Sequence, residues 1–277
     1  MIRFAIVTVS FNAADCLEKT IKSVLRQSYP AVDYLIIDGG SNDGTQEIIG
    51  RYADRLTYWV SERDRGIYDG MNKGIAKVNE LIEKDGTERY VLMLNADDSL
   101  IGTDVLAKLA AKIEQDKRNP DVVCCSWMIH PEHGTYLQSP GDLTQLPRRY
   151  VICHQATFVK GSVLASHPFD LKYRLAGDFD QLSQLYISGY KFTVYPDIVV
   201  SDMILNEGAT ERNWRASVHE GFEVVKRNGQ YRLGAETWLV FRKTTVRLIK
   251  WLTGYTVDAR FVESPYCSDK WITKTAR

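Results

Sequence analysis

Several absences narrow the class of this chain before any motif is read. It carries no net charge, since 35 Lys and Arg residues offset 35 Asp and Glu. Nucleic-acid binders carry a basic excess, so no nucleic-acid partner is expected. No run of about 18 uninterrupted apolar residues occurs, so no membrane-spanning helix is expected. The apolar start, MIRFAIVTVSFN, is too short for a secretory leader and runs straight into a polar loop. No GxGxxG follows a strand pattern, which argues against a dinucleotide-binding oxidoreductase. Cysteine is scarce and odd in number: Cys16, Cys124, Cys125, Cys153 and Cys267, with no CxxC pair. That spacing does not suit zinc, and all five read as reduced thiols of a cytoplasmic protein. Internal repeats and low-complexity segments are also missing.

What remains is an ordinary globular composition, 44% apolar and 25% charged over 277 residues. A chain of this length buries a large core without a disulfide or metal staple. Short apolar runs rich in β-branched residues occur at 2–9, 32–37 and 90–94, and VVCCSW at 122–127 reads as another strand. Helical patterns lie between them, from Leu17 to Leu25, Gln46 to Tyr52, Ile67 to Leu81 and Asp104 to Ile113. Strands alternating with helices over the first 125 residues or so imply an α/β fold with a mostly parallel sheet. The middle is less regular, with a candidate hairpin around Pro131–Gly134, strands at 155–160 and 191–195, and a helix at 178–188. From about residue 209 two helical stretches rich in Arg, Trp and aliphatic residues follow.

Ligands on such sheets sit at the carboxyl ends of the strands, and that is where the polar motifs fall. Thr8-Val9-Ser10-Phe11-Asn12 leaves the first strand. Asp38-Gly39-Gly40-Ser41-Asn42-Asp43-Gly44-Thr45 leaves the second, with three glycines that allow a sharp turn and close approach to a ligand. A plain βα turn has the same composition. A third segment runs from Glu62 through Asp64, Tyr68 and Asn72 to Gly74, and a helix start beside Arg and Lys favours phosphate. Leu94-Asn95-Ala96-Asp97-Asp98 follows the third run directly. Adjacent carboxylates at the end of a buried strand need exposure or a counter-charge, and oxygen ligands suit Mg²⁺ or Mn²⁺. The fifth segment, Ala176-Gly177-Asp178-Phe179-Asp180, opens a helix with an acid that could serve as a general base. His154 and Gln155 lie between apolar residues, a setting more typical of a structural histidine.

The five motifs in this order resemble the family 2 glycosyltransferases of GT-A fold, over about residues 2–200, and in particular bacterial members that build O-antigens, capsules and exopolysaccharides. The resemblance implies a GT-A, Rossmann-like catalytic domain over 1–205. Its nucleotide-sugar half would be 1–125 and its acceptor half 126–205, with 206–277 a helical C-terminal extension. It implies that Thr8 and Asp38 contact the nucleoside, Asp38 on the base, and that Asp64 and Asn72 line the donor pocket. Asn95-Ala96-Asp97 occupies the DxD position, with Asp97 the direct ligand of Mn²⁺ or Mg²⁺ and Asp98 supporting it. Asp178 is the implied catalytic base with Asp180 in reserve, and His154 and Gln155 lie near the diphosphate or the acceptor. The chain departs from the pattern twice: Asn95 stands where the family has Asp, and Gly177 where it often has Glu.

The implied reaction is an inverting transfer from a nucleotide sugar, UDP favoured as the commonest donor nucleotide in the family, to a glycan or a polyprenyl-diphosphate-linked sugar. A nucleotidyltransferase is the first alternative, but Ser10-Phe11-Asn12-Ala13-Ala14 lacks the Gly-rich basic loop expected after strand one. A non-catalytic sugar-binding module is the second, and the paired acids with Asp178 speak against it. Residues 236–252 place Trp238, Leu239, Phe241, Val246, Leu248, Ile249 and Leu252 on one helical face and Lys243, Arg247 and Lys250 on the other. That pattern suits either a helix on the inner, anionic membrane surface or one packed on the catalytic domain.

Overall fold

The computed structural model describes residues 1–130, 134–204, 213–231 and 273–274 of the chain. Four parallel strands form its centre: β1 (Phe4–Ser10), β2 (Val32–Asp38), β3 (Tyr58–Ser61) and β4 (Tyr90–Asn95), ordered β3-β2-β1-β4. Beyond β4 the sheet turns mixed. β5 (Ser99–Leu100), β6 (Val122–His130), β7 (Tyr136–Gln138), β8 (Thr157–Lys160), β9 (Phe192–Ile204) and the two-residue β10 (Thr273–Lys274) complete it. β8 runs antiparallel between β4 and β6, and β9 pairs with both β6 and β5. The expected hairpin is β6–β7, with Trp127 opposite Gln138 and Ile129 opposite Tyr136.

Seven helices are described: α1 (Leu17–Leu25), α2 (Thr45–Gly50), α3 (Ile67–Asp85), α4 (Val105–Gln115), α5 (Gly161–Ser166), α6 (Gly177–Ile187) and α7 (Trp214–Arg227). Alternation along the strands explains the layers, because successive side chains point to opposite faces. Phe4, Ile6, Tyr34, Ile36, Leu92, Leu94 and Cys125 pack against α1, α2 and α4. Val7, Val9, Leu35, Ile37, Val91, Met93 and Cys124 face the other way, against α3, α5, α6 and α7. The fold is therefore the expected α/β arrangement of helices on both faces of a central sheet, parallel over β1 to β4 and mixed beyond. Cys16, Cys124, Cys125 and Cys153 are free.

Three features depart from the sequence pattern. β3 was not foreseen, because its four residues sit half-buried at the sheet edge and show no clear periodicity. α5 was missed for its shortness. β9 runs 13 residues, past Pro196, where a strand would be expected to stop. Its pairing with β6 shifts register there, between Cys125 and Trp127, and Ser126 Oγ donates to Pro196 O at 2.7 Å. The bulge lets the strand continue until Asp202 lies opposite Ser99.

α7 lies beyond the boundary at 205 drawn from sequence, yet Val218, Phe222, Val224 and Val225 on it are buried, the last two in the core cluster shared with α6. The amphipathic stretch 236–252 lies outside the described residues. Among the described residues no helix is long and apolar enough to cross a membrane.

α3 sits directly on β1 because Gly74 has no side chain: a Cβ there would stand 2.4 Å from Val7 Cγ1. Gly74→Ala should push the helix off the sheet and cost about 1–3 kcal/mol of stability. Differential scanning calorimetry would register this as a lower melting temperature, and an unchanged melting temperature would contradict the packing argument.

Candidate active site

The parallel strands end together, and their last residues carry the polar motifs. β1 ends at Ser10, β2 at Asp38, β3 at Ser61 and β4 at Asn95. Asp38 is fully buried, and its two carboxylate oxygens take five hydrogen bonds, from Ser10 Oγ, Gly40 N, Ser41 N, Ser41 Oγ and Ser61 Oγ. Burial raises its pKa, but the hydroxyl and backbone donors of Ser41, Ser61 and Ser10 outweigh that and hold it low. Asp38 thus ties three strand ends into one loop floor. Thr8 is also fully buried, its hydroxyl 3.2 Å from that of Tyr34. Neither residue presents surface to a ligand in this arrangement. Phe11 does: it stands 64% exposed beside the same loops, and sequence reasoning had passed over it.

Asp64 lies over this floor. Its Oδ1 accepts from Gly66 N at 2.9 Å, while a Cβ on Gly39 would meet its Oδ2 at 2.6 Å. Gly39 is therefore needed for the close approach of the two loops. Asn72 has a different job from the pocket-lining one expected. Its Nδ2 donates to Phe169 O at 2.9 Å and its Oδ1 accepts from Phe169 N at 2.8 Å, so the whole amide clamps α3 to the segment before α6.

The acidic turn after β4 is held from below by α1. Thr20 Oγ1 lies 2.6 Å from both Ala96 O and Asp98 O. Asp97 is exposed and Asp98 is buried. Burial, with the charge of Asp97 next to it, pushes the Asp98 carboxyl up to about 7, because the attraction of His154 and the hydrogen bond from Gln155 do not compensate. The Oδ1 of Asn95 is buried without a hydrogen-bond partner. Two acids short of positive charge, beside an unpaired amide oxygen, fit a divalent cation and its hydrated or phosphate-bound shell. Among the described residues no three His, Cys, Asp or Glu side chains form a ready-made metal cluster, so ligand oxygens would have to complete the coordination.

Asp178 opens α6 and is 9% exposed. Its Oδ1 accepts from Tyr68 Oη at 3.0 Å, and its Oδ2 lies 3.0 Å from His154 Nδ1. Tyr150 is half-buried nearby, its hydroxyl covered and without a fully formed hydrogen bond. Burial alone would raise the Asp178 pKa, but the hydrogen bond and charge of His154, aided by the tyrosine hydroxyls, bring it below the usual value. Tyr68 is pushed the other way, by burial and by the Asp178 charge, and so stays a donor. Tyr68 also accounts for the departure at Gly177: a Cβ there would meet its ring carbons at 2.8–2.9 Å. Asp180, held in reserve from sequence, is 3% exposed and has both oxygens on Arg227 Nη1, at 2.8 and 2.6 Å. It serves as an anchor for α7.

His154 and Gln155 join the two acidic centres. They are consecutive in a 3-10 turn, His154–Ala156. His154 Nδ1 faces Asp178, and Gln155 Nε2 donates to Asp98 Oδ2 at 3.1 Å. The remaining ring nitrogen of His154, Nε2, is buried without a partner. Tyr68 could have been found from sequence, since it sits inside the third motif. Tyr150 carried no signal.

The chain is similar to known proteins in sequence and in fold. The family model described as "Glycosyl transferase family 2" matches residues 5–168. A PGL/p-HBAD biosynthesis glycosyltransferase of Mycobacterium bovis is 29% identical over 202 residues, covering 72% of this chain and 75% of the relative. The crystal structure of Staphylococcus aureus TarS 1-349 in complex with UDP superposes with a TM-score of 0.62 at 14% identity, over 95% of this chain and 75% of that one. The mannosyltransferase PcManGT from Pyrobaculum calidifontis, in complex with GDP-Man and Mn²⁺, gives 0.61 at 18% identity, over 94% and 78%. With more than half of its length matched by the family model and its fold that of these enzymes, the chain belongs to glycosyl transferase family 2.

Proposed function

We propose that this enzyme is a metal-dependent, inverting glycosyltransferase that moves a sugar from a nucleoside diphosphate, UDP favoured, onto a glycan or lipid-linked sugar in surface polysaccharide synthesis. The observation that carries the proposal is the pairing of two unlike carboxyl centres by one turn, Asp98 through Gln155 and Asp178 through His154. Solved neighbours bound to UDP and to GDP-Man with Mn²⁺ support a nucleotide-sugar donor. The mycobacterial relative, a PGL/p-HBAD biosynthesis glycosyltransferase, supports glycosyl transfer as the reaction.

The loops after β1 and β2 make the nucleoside floor, with Asp38 and Thr8 acting through its shape. Phe11 offers an exposed ring against which a base can stack. Asp64 borders the ribose and diphosphate. Asp97 is the cation ligand, with Asp98 and Asn95 behind it. A bound Mg²⁺ or Mn²⁺ supplies a Lewis acid that neutralises charge growing on the departing diphosphate. Asp178 accepts the proton of the attacking hydroxyl. Its lowered pKa keeps it ionised at neutral pH, in the form that can accept, and Tyr68 and His154 fix its direction. Attack opposite the leaving group in a single displacement inverts the anomeric centre, and most of the rate comes from positioning and electrostatics.

Four outcomes are expected. In a thermal-shift panel of UDP, GDP, CDP and dTDP, one nucleotide at millimolar concentration stabilises the protein with Mn²⁺ and much less without it. The shift is larger at pH 8 than at pH 6, because Asp98, pushed up to about 7, adds its negative charge behind the Asp97 cation site only once ionised. Equal shifts at both pH values would remove Asp98 from the cation site, and no shift with any nucleotide would sink the donor assignment. Asp178→Asn lowers turnover by about 10²- to 10⁴-fold while leaving that shift intact. Loss of nucleotide binding in this variant would refute the base assignment. Phe11→Ala weakens nucleotide affinity by about 1–3 kcal/mol, read by isothermal titration. An unaltered dissociation constant would show that the base stacks elsewhere.

A further inference from the structure

Glu220 lies on α7, outside the five motifs and 52 positions beyond the end of the family match at residue 168. Its carboxylate accepts three successive backbone N–H groups of the segment that leads into α6. Oε2 takes Leu175 N at 2.7 Å, Ala176 N at 3.0 Å and Arg174 N at 3.0 Å, and Oε1 also reaches Arg174 N at 3.1 Å. Residues 174–176 belong to no strand or helix, so no ladder holds these donors. Successive N–H groups converging on one point form an anion-binding concavity, and here a side chain of the same protein fills it. The residue after next is Asp178.

A second grip lies seven positions, about two turns, further along α7 on the same helix face. Arg227 Nη1 binds both oxygens of Asp180, in the first turn of α6. Asn228 follows, accepting from Gln184 Nε2 at 2.6 Å and donating to Pro147 O at 3.0 Å. α7 therefore holds the start of α6 through its backbone and Asp180, while Tyr68 and His154 hold the Asp178 carboxylate itself. The side chain of Asp178 can meet both partners only if its backbone is fixed, and the irregular segment before it has Glu220 as its fixing point.

We propose that Glu220 is a positioning residue for Asp178, so that α7 is part of the catalytic centre; the proposal rests on Asp178 being the base. Misplacing a reacting group by about 1 Å can cost on the order of 10²-fold in rate. Glu220 touches neither donor nor acceptor in this account, so its loss acts on turnover and spares donor binding.

The test uses the full chain with the UDP-, GDP-, CDP- or dTDP-sugar whose nucleotide the thermal-shift panel selects, turnover being read as nucleoside diphosphate release. Glu220→Ala is expected to lower kcat by about 10- to 100-fold. KM for the sugar nucleotide and the Mn²⁺-dependent thermal shift should stay within about twofold of wild type. Glu220→Gln, which keeps a carbonyl oxygen for the same N–H groups, should recover most of the rate. Hydrogen exchange at residues 174–176 should quicken in the alanine variant but not across β1 or β4. Wild-type kcat in Glu220→Ala would overturn the proposal. So would a kcat loss matched by an equal loss of nucleotide binding, which marks general unfolding, or a glutamine variant no better than alanine. A wild-type chain that gives neither a nucleotide shift nor nucleoside diphosphate release would sink the proposed function itself, before any variant is compared.

Discussion

Burying carboxylates at the carboxyl ends of the strands is the constraint on which the site depends. Asp38, Asp98 and Asp178 are each at most 9% exposed, and an ionised carboxyl cannot stay so covered without donors or a cation. The protein meets the requirement in three ways. Asp38 is saturated by hydroxyl and backbone donors. Asp178 is held by a tyrosine and a histidine. Asp98 receives one side-chain amide bond and sits next to Asp97, so its carboxyl rises to about 7. The three are therefore in different states: a structural knot, a carboxylate kept ionised by its donors, and an acid that lacks a counter-ion.

Those states explain what the sequence could and could not disclose. The layers follow strict alternation in β1, β2, β4 and β6, which in β6 splits even Cys124 from Cys125. The location of the site was legible because the motifs fall at the ends of parallel strands. Which atoms remain free was not. Asn72 carries two donors and one acceptor carbonyl on paper, but Phe169, 97 positions away, takes both ends of its amide. Asp180 and Asp178 are near-equal candidates as a string, yet one meets Arg227 and the other meets His154. Such choices depend on long-range contacts that local pattern does not encode.

Gly177 illustrates the same point from the opposite side. In the family pattern its place is often taken by Glu. In the fold, the Tyr68 ring occupies the space a Cβ would need, and the Tyr68 hydroxyl then reaches Asp178. Stacking of Tyr68 on Phe169, with ring centroids 5.1 Å apart, extends this contact to the segment that Asn72 clamps. The glycine and the tyrosine form one packing unit, and a substitution at either has to be judged with the other.

The turn at His154 and Gln155 adds a coupling between the two halves of the site. Consecutive residues of one short turn cannot shift independently, so whatever moves Gln155 also moves His154. When Asp98 is protonated, its bond from Gln155 is between neutral groups. When Asp98 is ionised beside a cation, the same bond is charge-assisted, shorter and about twice as strong. The turn is then pinned more firmly, and His154 with it, against Asp178 Oδ2. Charge at Asp98 thereby bears on the geometry around Asp178 through two adjacent side chains.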